Sequence, residues 1–306
     1  MKIELLKQEM NNEVEGLIAK VNTVNESTTR DGQPYASLNL SDETGTVTAR
    51  WWNALPDTLL RGGVYRFRGV VNEYNSRLQF IVKDFELIED PAITSLFFES
   101  APKSLEWISS KIDYYLSFIS DPDFYAITNQ LISSRRASFL EYPAATQNHH
   151  AYLQGLSYHT VTMCQVAESL LPIYPFLNES LVYAGILLHD LAKTEELTEA
   201  KSPEYSTEGK LMGHLVMGAR WVHEAAQELK IAPDKALLLE HIIISHHGRK
   251  EWGSAQTPQI AEAEFVYFID NLDSKMESIR VHLDEVEAGE WTKRIPVLDG
   301  RSILKH

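Results

Sequence analysis

SLVYAGILLHDLAK, residues 180–193, is an apolar run with helical spacing that ends on His189 and Asp190 side by side. A neutral imidazole next to a carboxylate suits a divalent cation, and apolar neighbours fix the direction in which both groups point. An adjacent pair alone is a weak signal. Its force depends on further histidines and another aspartate arriving from elsewhere in the chain.

The flanking sequence supplies them. Of 11 histidines, most fall between residues 149 and 247. ATQNHHAYLQGLSYHTVTMCQVAESLL (145–171) carries His149 and His150 and then His159 at the head of a helical run. GKLMGHLVMGARWVHEAAQEL (209–229) carries His214, LLLEHIIISHHG (237–248) ends on His246 and His247, and AEAEFVYFIDNLDSKMESI (261–279) carries Asp270. Each has apolar residues at helical spacing. Helical metalloenzymes build their sites by converging such residues on a bundle interior. The spacings are too wide for a local finger-type zinc motif.

Upstream the pattern changes from helix to strand. VEGLIAKVNTVNEST (14–28) alternates apolar and polar residues, the period of a half-buried strand. RDGQPY (30–35) is a turn, YASLNLSDETGTVTARWW (35–52) a hairpin, and GGVYRFRGVVNEYNSRLQFIVKDFELIE (62–89) two further strands. About five short strands in this length predict a small closed Greek-key barrel, which removes exposed sheet edges. The order resembles the OB-fold of nucleic-acid-binding modules. Such barrels hold single strands by stacking bases on aromatic side chains beside basic ones. Tyr35, Trp51, Trp52, Tyr74 and Phe80 are the aromatic candidates, with Arg50, Arg66, Arg68 and Arg77. Trp51 and Trp52 are strand neighbours and face opposite sides, so one belongs to the core and the other outside.

The expected architecture is therefore multidomain α+β: an OB-like β-barrel over residues 1–90, connecting helices over 91–145, and an all-α helical bundle over 146–306. SLEWISSKIDYYLSFI (104–119) and DFYAITNQLISS (123–134) read as the connecting helices, with Asp121 and Pro122 at a helix entry.

Composition bounds the class. A 306-residue chain with 44% hydrophobic and 23% charged residues is an ordinary globular protein. No apolar run approaches a membrane span, the first residues lack the regions of a signal peptide, and one cysteine fits a reducing compartment. The expectation is a cytoplasmic protein that does not bind membranes. A balance of 28 basic and 43 acidic residues gives −15, which excludes broad adhesion to nucleic acid but not a local groove or phosphates held through metal ions.

The order His…His-Asp…His…His-His…Asp resembles the HD superfamily of metal-dependent phosphohydrolases, over about residues 146–280. The resemblance implies that His159, His189, Asp190 and Asp270 hold one metal, and that Asp190 bridges to a second held by His214, His246 and His247. Mixed imidazole and carboxylate ligands favour manganese, with iron or zinc as alternatives. Two such cations activate water and stabilise the charge on attacking and leaving oxygens. Lys193, four residues after His189, either meets a substrate phosphate or is a solvated helix-end lysine. Asp273 either replaces Asp270 as a ligand or supports it. His149 and His150 precede the first ligand helix and are candidates for substrate contact. For His223, His241 and His282 an ordinary hydrogen-bonded or surface role is the expectation.

A barrel followed by this bundle resembles the YhaM family of bacterial 3′→5′ exoribonucleases, along nearly the whole chain. YPAATQNHHAYLQGLSYHT, YAGILLHDLAK, YSTEGKLMGHL, ISHHGRKEWGS and FIDNLDSKM carry the match. It implies hydrolysis of single-stranded RNA, with single-stranded DNA as a second substrate, to nucleoside 5′-monophosphates, and Asp190 and Lys193 as catalytic residues. The alternatives are a phosphohydrolase of small nucleotides and a non-catalytic RNA-binding protein. A homo-oligomer is expected because soluble enzymes commonly form one.

Overall fold

A computed structural model describes residues 1–146 and 150–306. The chain divides into two compact units, Met1–Glu99 and Ser100–His306.

In the first unit, β1 (Glu13–Thr28), β2 (Pro34–Asp42), β3 (Gly45–Trp51), β4 (Val64–Tyr74) and β5 (Arg77–Leu87) close a barrel in the order β1-β2-β3-β5-β4. All pairings are antiparallel except β3 with β5. The alternation read from the sequence is the alternation of burial. Val14, Leu17, Ala19 and Val21 of β1 point inward, as do Leu38, Leu40, Val47, Ala49, Phe67, Val71 and Phe80 from the other strands. Gly16, at φ 81°, takes the extra residue where the β1–β4 register shifts, and the bulge bends β1 around the barrel. A one-turn helix, α1 (Pro91–Thr94), follows the last strand.

The second unit is helical: α2 (Leu105–Leu116), α3 (Pro122–Glu141), α4 (Gly155–Leu170), α5 (Glu179–Leu188), α6 (Lys193–Glu196), α7 (Thr207–Glu228), α8 (Pro233–Ser245) and α9 (Ala261–Asp284). Side-chain caps set several starts. Asp121 accepts from the amides of Asp123 and Phe124 with Pro122 opening α3, Asn178 accepts from Leu181 ahead of α5, and Ser206 from Gly209 ahead of α7. α5 is apolar all round, and every residue from Ser180 to Leu188 is buried. A helix with no polar face belongs at the centre of a bundle. It packs on α2, α3, α4, α8 and α9. Its C-terminal end therefore delivers His189 and Asp190 to the middle of the unit. Among the described residues no helix is long and apolar enough to cross a membrane.

Candidate metal centre

His189 caps the C-terminus of α5 and is fully buried. Its Nδ1 donates to the Ile186 carbonyl at 2.7 Å. A carbonyl only accepts, so Nδ1 carries a proton and Nε2 is the ring atom turned toward the other histidines. His246 at the end of α8 repeats the device, donating from Nδ1 to the Ile243 carbonyl at 2.8 Å. In both cases the histidine reaches back over its own last turn to use a carbonyl the helix leaves unpaired. His214 reaches the same state through a carboxylate: its Nδ1 lies 3.0 Å from Glu196 Oε1, which also accepts the His214 backbone N–H at 3.0 Å.

Asp190 stands between two sets of imidazoles. Its Oδ2 lies 3.4 Å from His189 Nε2, and His189 Nε2 lies 3.3 Å from His159 Nε2. His159 Nε2 is in turn 3.3 Å from Asp270 Oδ1. The other oxygen, Oδ1, lies 3.4 Å from His214 Nε2 and 3.5 Å from His246 Nε2. The His247 ring packs on both, with centroids 4.4 Å from His246 and 5.3 Å from His214. Thus His159, His189, Asp190, His214, His246, His247 and Asp270 converge on one locus from α4, α5, α7, α8 and α9, and the two carboxylate oxygens of Asp190 face different groups.

Among the described residues, Asp190 Oδ1, His214 Nε2 and His247 Nδ1 are buried with no hydrogen-bond partner. Three inward-facing acceptors left unmatched at one place are costly unless a cation takes them up. Ligating atoms of His214, His246 and His247, and of His159, His189 and Asp190, lie within 4.8 Å of one another in each set. The donor set fits divalent cations held by imidazole and carboxylate.

The electrostatics agree. Burial and the neighbouring His246 and His214 push His247 down to about 3, so its ring is a neutral donor. Burial, with the neighbouring His189, lowers His246 against the pull of Asp190. Burial works to raise the Asp190 pKa, but the Lys193 ammonium and the His189 and His246 rings hold it well below the usual carboxylate range. Lys193 Nζ donates to Asp190 Oδ2 at 2.7 Å and is raised by that pairing against its own burial. It is therefore a largely enclosed partner of Asp190, not a solvated helix-end lysine.

Asp273 meets the first imidazole set from behind. Its Oδ2 lies 2.7 Å from His159 Nδ1 and 2.7 Å from His150 Nε2. It orients the His159 ring from behind and leaves Asp270 on the Nε2 side. His150 has a different place from the one expected of a substrate contact. It is 2% exposed, with Nδ1 on the Tyr152 hydroxyl at 2.7 Å and Nε2 on Asp273, so both ring nitrogens are engaged inside the protein. His149 lies outside the described residues. His223 faces Glu240 at the surface, His241 Nε2 accepts from the Gln259 amide, and His282 donates to the Ser278 carbonyl. Glu208 pairs with Arg220 at 2.7 Å.

Beside the histidines opens a cleft of about 430 Å³, lined by Asp190, Lys193, His247, Trp252, Asp270 and Lys275 among others. Three contributors escape sequence reasoning. Glu196, the support of His214, lies 18 residues away in a four-residue helix with no periodicity to read. Trp252 follows the His-His pair, and its ring lies under the Arg249 guanidinium at 4.9 Å. Lys275 is one more surface-type lysine on α9 until the helix is placed.

The barrel candidates separate. Trp51 is half-buried, packs on Phe85 and donates from Nε1 to the Ala54 carbonyl, whereas Phe80 is fully buried and closed to a strand. Trp52 is 50% exposed and meets Tyr35 as a tilted pair at 5.2 Å, and Arg50 lies over the Tyr35 ring at 5.1 Å. Arg66 and Arg68 on β4 face Glu86, Glu13 and Asp84 at 3.4–3.7 Å. Arg77 and Tyr74 are exposed at the β4–β5 hairpin.

Comparison with known proteins places the geometry. Residues 156–275 match the HD domain family and residues 13–88 match the OB-fold nucleic acid binding domain family. The second OB-fold domain of replication protein A from Methanococcus maripaludis is 26% identical, covering 27% of this chain and 87% of that one with a TM-score of 0.22. Yeast Stn1 and Ten1 give 13% identity over 32% of this chain and 62% of that one, at a TM-score of 0.23. The 3′-5′ exoribonuclease YhaM of Geobacillus sp. (strain WCH70) is 37% identical over 290 residues, 93% of this chain and 90% of that protein. With that identity running through both the barrel and the histidine-lined bundle, the chain belongs to the YhaM family of 3′-5′ exoribonucleases.

Proposed function

We propose that this protein is a metal-dependent 3′→5′ exoribonuclease that removes nucleoside 5′-monophosphates from single-stranded RNA, with single-stranded DNA as a lesser substrate. The observation that carries it is Asp190, whose two oxygens face two separate sets of imidazoles at 3.4–3.5 Å.

His159, His189, Asp190 and Asp270 would hold one cation, and Asp190, His214, His246 and His247 a second. When bound, divalent cations supply an activated water and stabilise charge on the attacking and leaving oxygens of a phosphodiester. The imidazole-rich donor set favours manganese, with iron or zinc next. The chain's own residues do the rest. Asp273 and Glu196 hold the His159 and His214 rings in register through Nδ1. Lys193 orients Asp190 and presents an ammonium to a phosphate in the cleft. Water adds to phosphorus, the bond from phosphorus to the penultimate O3′ breaks, that oxygen leaves with a proton, and the terminal nucleotide departs carrying the 5′-phosphate. On the barrel, the Tyr35, Arg50 and Trp52 cluster offers stacking rings beside a cation, the combination that holds unpaired bases. The single, buried cysteine supports work in a reducing cytoplasm. The exposed stripe Phe268, Leu272 and Met276 on α9 supports a homo-oligomer.

The test is digestion of labelled RNA, single-stranded DNA, cyclic dinucleotides and nucleoside triphosphates by the purified protein with manganese. The reading predicts mononucleotides from RNA first. Turnover of the small nucleotides with intact RNA would overturn it.

A further inference from the structure

Part of the cleft lining comes from residues 296–299. After α9 the chain turns back as a small hairpin, with bridges between Trp291 and Leu304 and between Ile295 and Arg301. Its base is fixed: Lys305 Nζ donates to the Leu283 and Val286 carbonyls at 2.9 and 2.7 Å, capping the end of α9. Its middle is fixed by Ile295 and Leu298, which are buried. The tip is a tight 3-10 turn, Pro296–Leu298, closed by hydrogen bonds from Leu298 N and Gly300 N to the Ile295 carbonyl and from Asp299 N to Pro296. Pro296, Val297 and Asp299 from this tip line the same cleft as Asp190, Lys193 and Asp270.

The charges of the cleft are divided. Asp190 and Asp270 are committed to the histidines. Lys193, paired with Asp190, and Lys275 are the lysines of the lining. Asp299 lines the cleft and is exposed, and among the described residues no ion pair or hydrogen bond engages its carboxylate. A free carboxylate does not suit a phosphate. It suits hydroxyl donors, and the vicinal hydroxyls of a ribose offer two to one acidic side chain. A strand's 3′-terminal nucleotide is the one residue of RNA whose ribose carries both hydroxyls free. At about 430 Å³ the cleft lies near the lower end of the range for single-molecule pockets, roughly 300–1,000 Å³. That size suits a single nucleotide.

We propose that the hairpin tip at residues 296–299 is the end stop of the exonuclease: it blocks passage of a strand beyond the terminal nucleotide, and Asp299 receives the 2′- and 3′-hydroxyls of that nucleotide. The proposal rests on the exoribonuclease reading above. It makes the chain's own C-terminal segment the determinant of end-dependence and of ribose preference.

The experiment compares the full-length protein with Asp299→Ala, Asp299→Asn and a variant whose residues 296–299 are replaced by Gly-Ser-Gly-Gly. Substrates are one oligoribonucleotide ending in ribose, in 2′-deoxyribose or in 3′-deoxyribose, and a circular RNA of the same sequence. Binding of the three linear strands is also followed by fluorescence anisotropy with chelator present, a readout independent of turnover. Loss of a hydrogen bond to a charged acceptor costs about tenfold or more. The native protein is therefore expected to favour the ribose end about tenfold in binding and cleavage, Asp299→Ala and Asp299→Asn to lose most of that preference, and the tip replacement to gain cleavage of the circle. An unchanged ribose preference in both Asp299 variants, an equal loss on all three ends, or an uncut circle with the replaced tip overturns the end stop. Native protein that releases no mononucleotide from the ribose-ended strand instead overturns the exoribonuclease reading itself.

Discussion

Asp190 is buried in a ring of imidazoles, and the state of those imidazoles determines how it is used. Burial opposes a charge on His159, but Asp270 and Asp273 outweigh it and push the ring up to about 10. Below that pH the metal-free ring keeps a proton between its Nε2 and Asp270, and a cation entering there must displace it. Metal uptake near neutral pH should therefore release about one proton from this ring, and affinity should rise with pH until about 10. Calorimetry in buffers of different ionisation enthalpy measures this, and heats that do not depend on the buffer would contradict it. Glu196 permits a narrower test. Replacing it with Gln keeps a hydrogen bond to His214 Nδ1 but removes the charge that makes the ring a better donor. Glu196→Gln should weaken the second cation about 10–100-fold, while the first, on the other side of Asp190, is little changed. Equal weakening of both, seen in a metal titration, would show that the two imidazole sets are not separate sites. The residues of this ring were legible because each is a histidine or aspartate at the end of, or within, an apolar run. Glu196 and Asp273 were harder. One has no pattern around it, and the other sits one turn from Asp270, where sequence does not distinguish a ligand from its support.

The elements carry the residues because of how they end. α5 and α8 each finish on a histidine that donates to a carbonyl of its own last turn, so the helix terminus is itself the positioning device. α7 does it differently. Gly213 interrupts the helix at φ 70° and ψ 157°, a conformation essentially confined to glycine, and this kink turns the next residue, His214, toward Glu196. Gly213→Ala should cost about 1–3 kcal/mol of stability. It should lower activity more than another variant of equal melting temperature does. Thermal melts with parallel turnover assays check this, and normal activity in Gly213→Ala would sever the kink from the site. Helical and strand periodicity predicted α5 and the barrel strands well, since one is apolar all round and the others alternate. The kink and the C-terminal hairpin were not legible, because a lone glycine and a short irregular tail acquire meaning only from what they touch.

At the scale of the molecule, each unit has its own apolar core. The barrel's is built on Leu17, Leu38, Phe67 and Phe80, and the bundle's on α5. Separate cores predict that removing Met1–Glu99 leaves the bundle folded and able to hydrolyse a small diester, while affinity for long single strands falls by tenfold or more. Equal loss on both substrates would remove the barrel from substrate capture. An excess of 15 negative charges sets a condition on that capture. Long-range attraction is not available, so binding must come from local cations such as Arg50 and from stacking, and its salt dependence should be shallow for a nucleic-acid-binding protein. The most direct measurement of the central claim is product analysis of a single-stranded RNA, labelled at its 5′ end, digested with manganese by native protein and by Asp190→Asn. The account predicts a ladder shortened from the 3′ end with nucleoside 5′-monophosphates as the only small product, and no products with Asp190→Asn. Immediate release of the 5′ label, or undiminished digestion by Asp190→Asn, would contradict it.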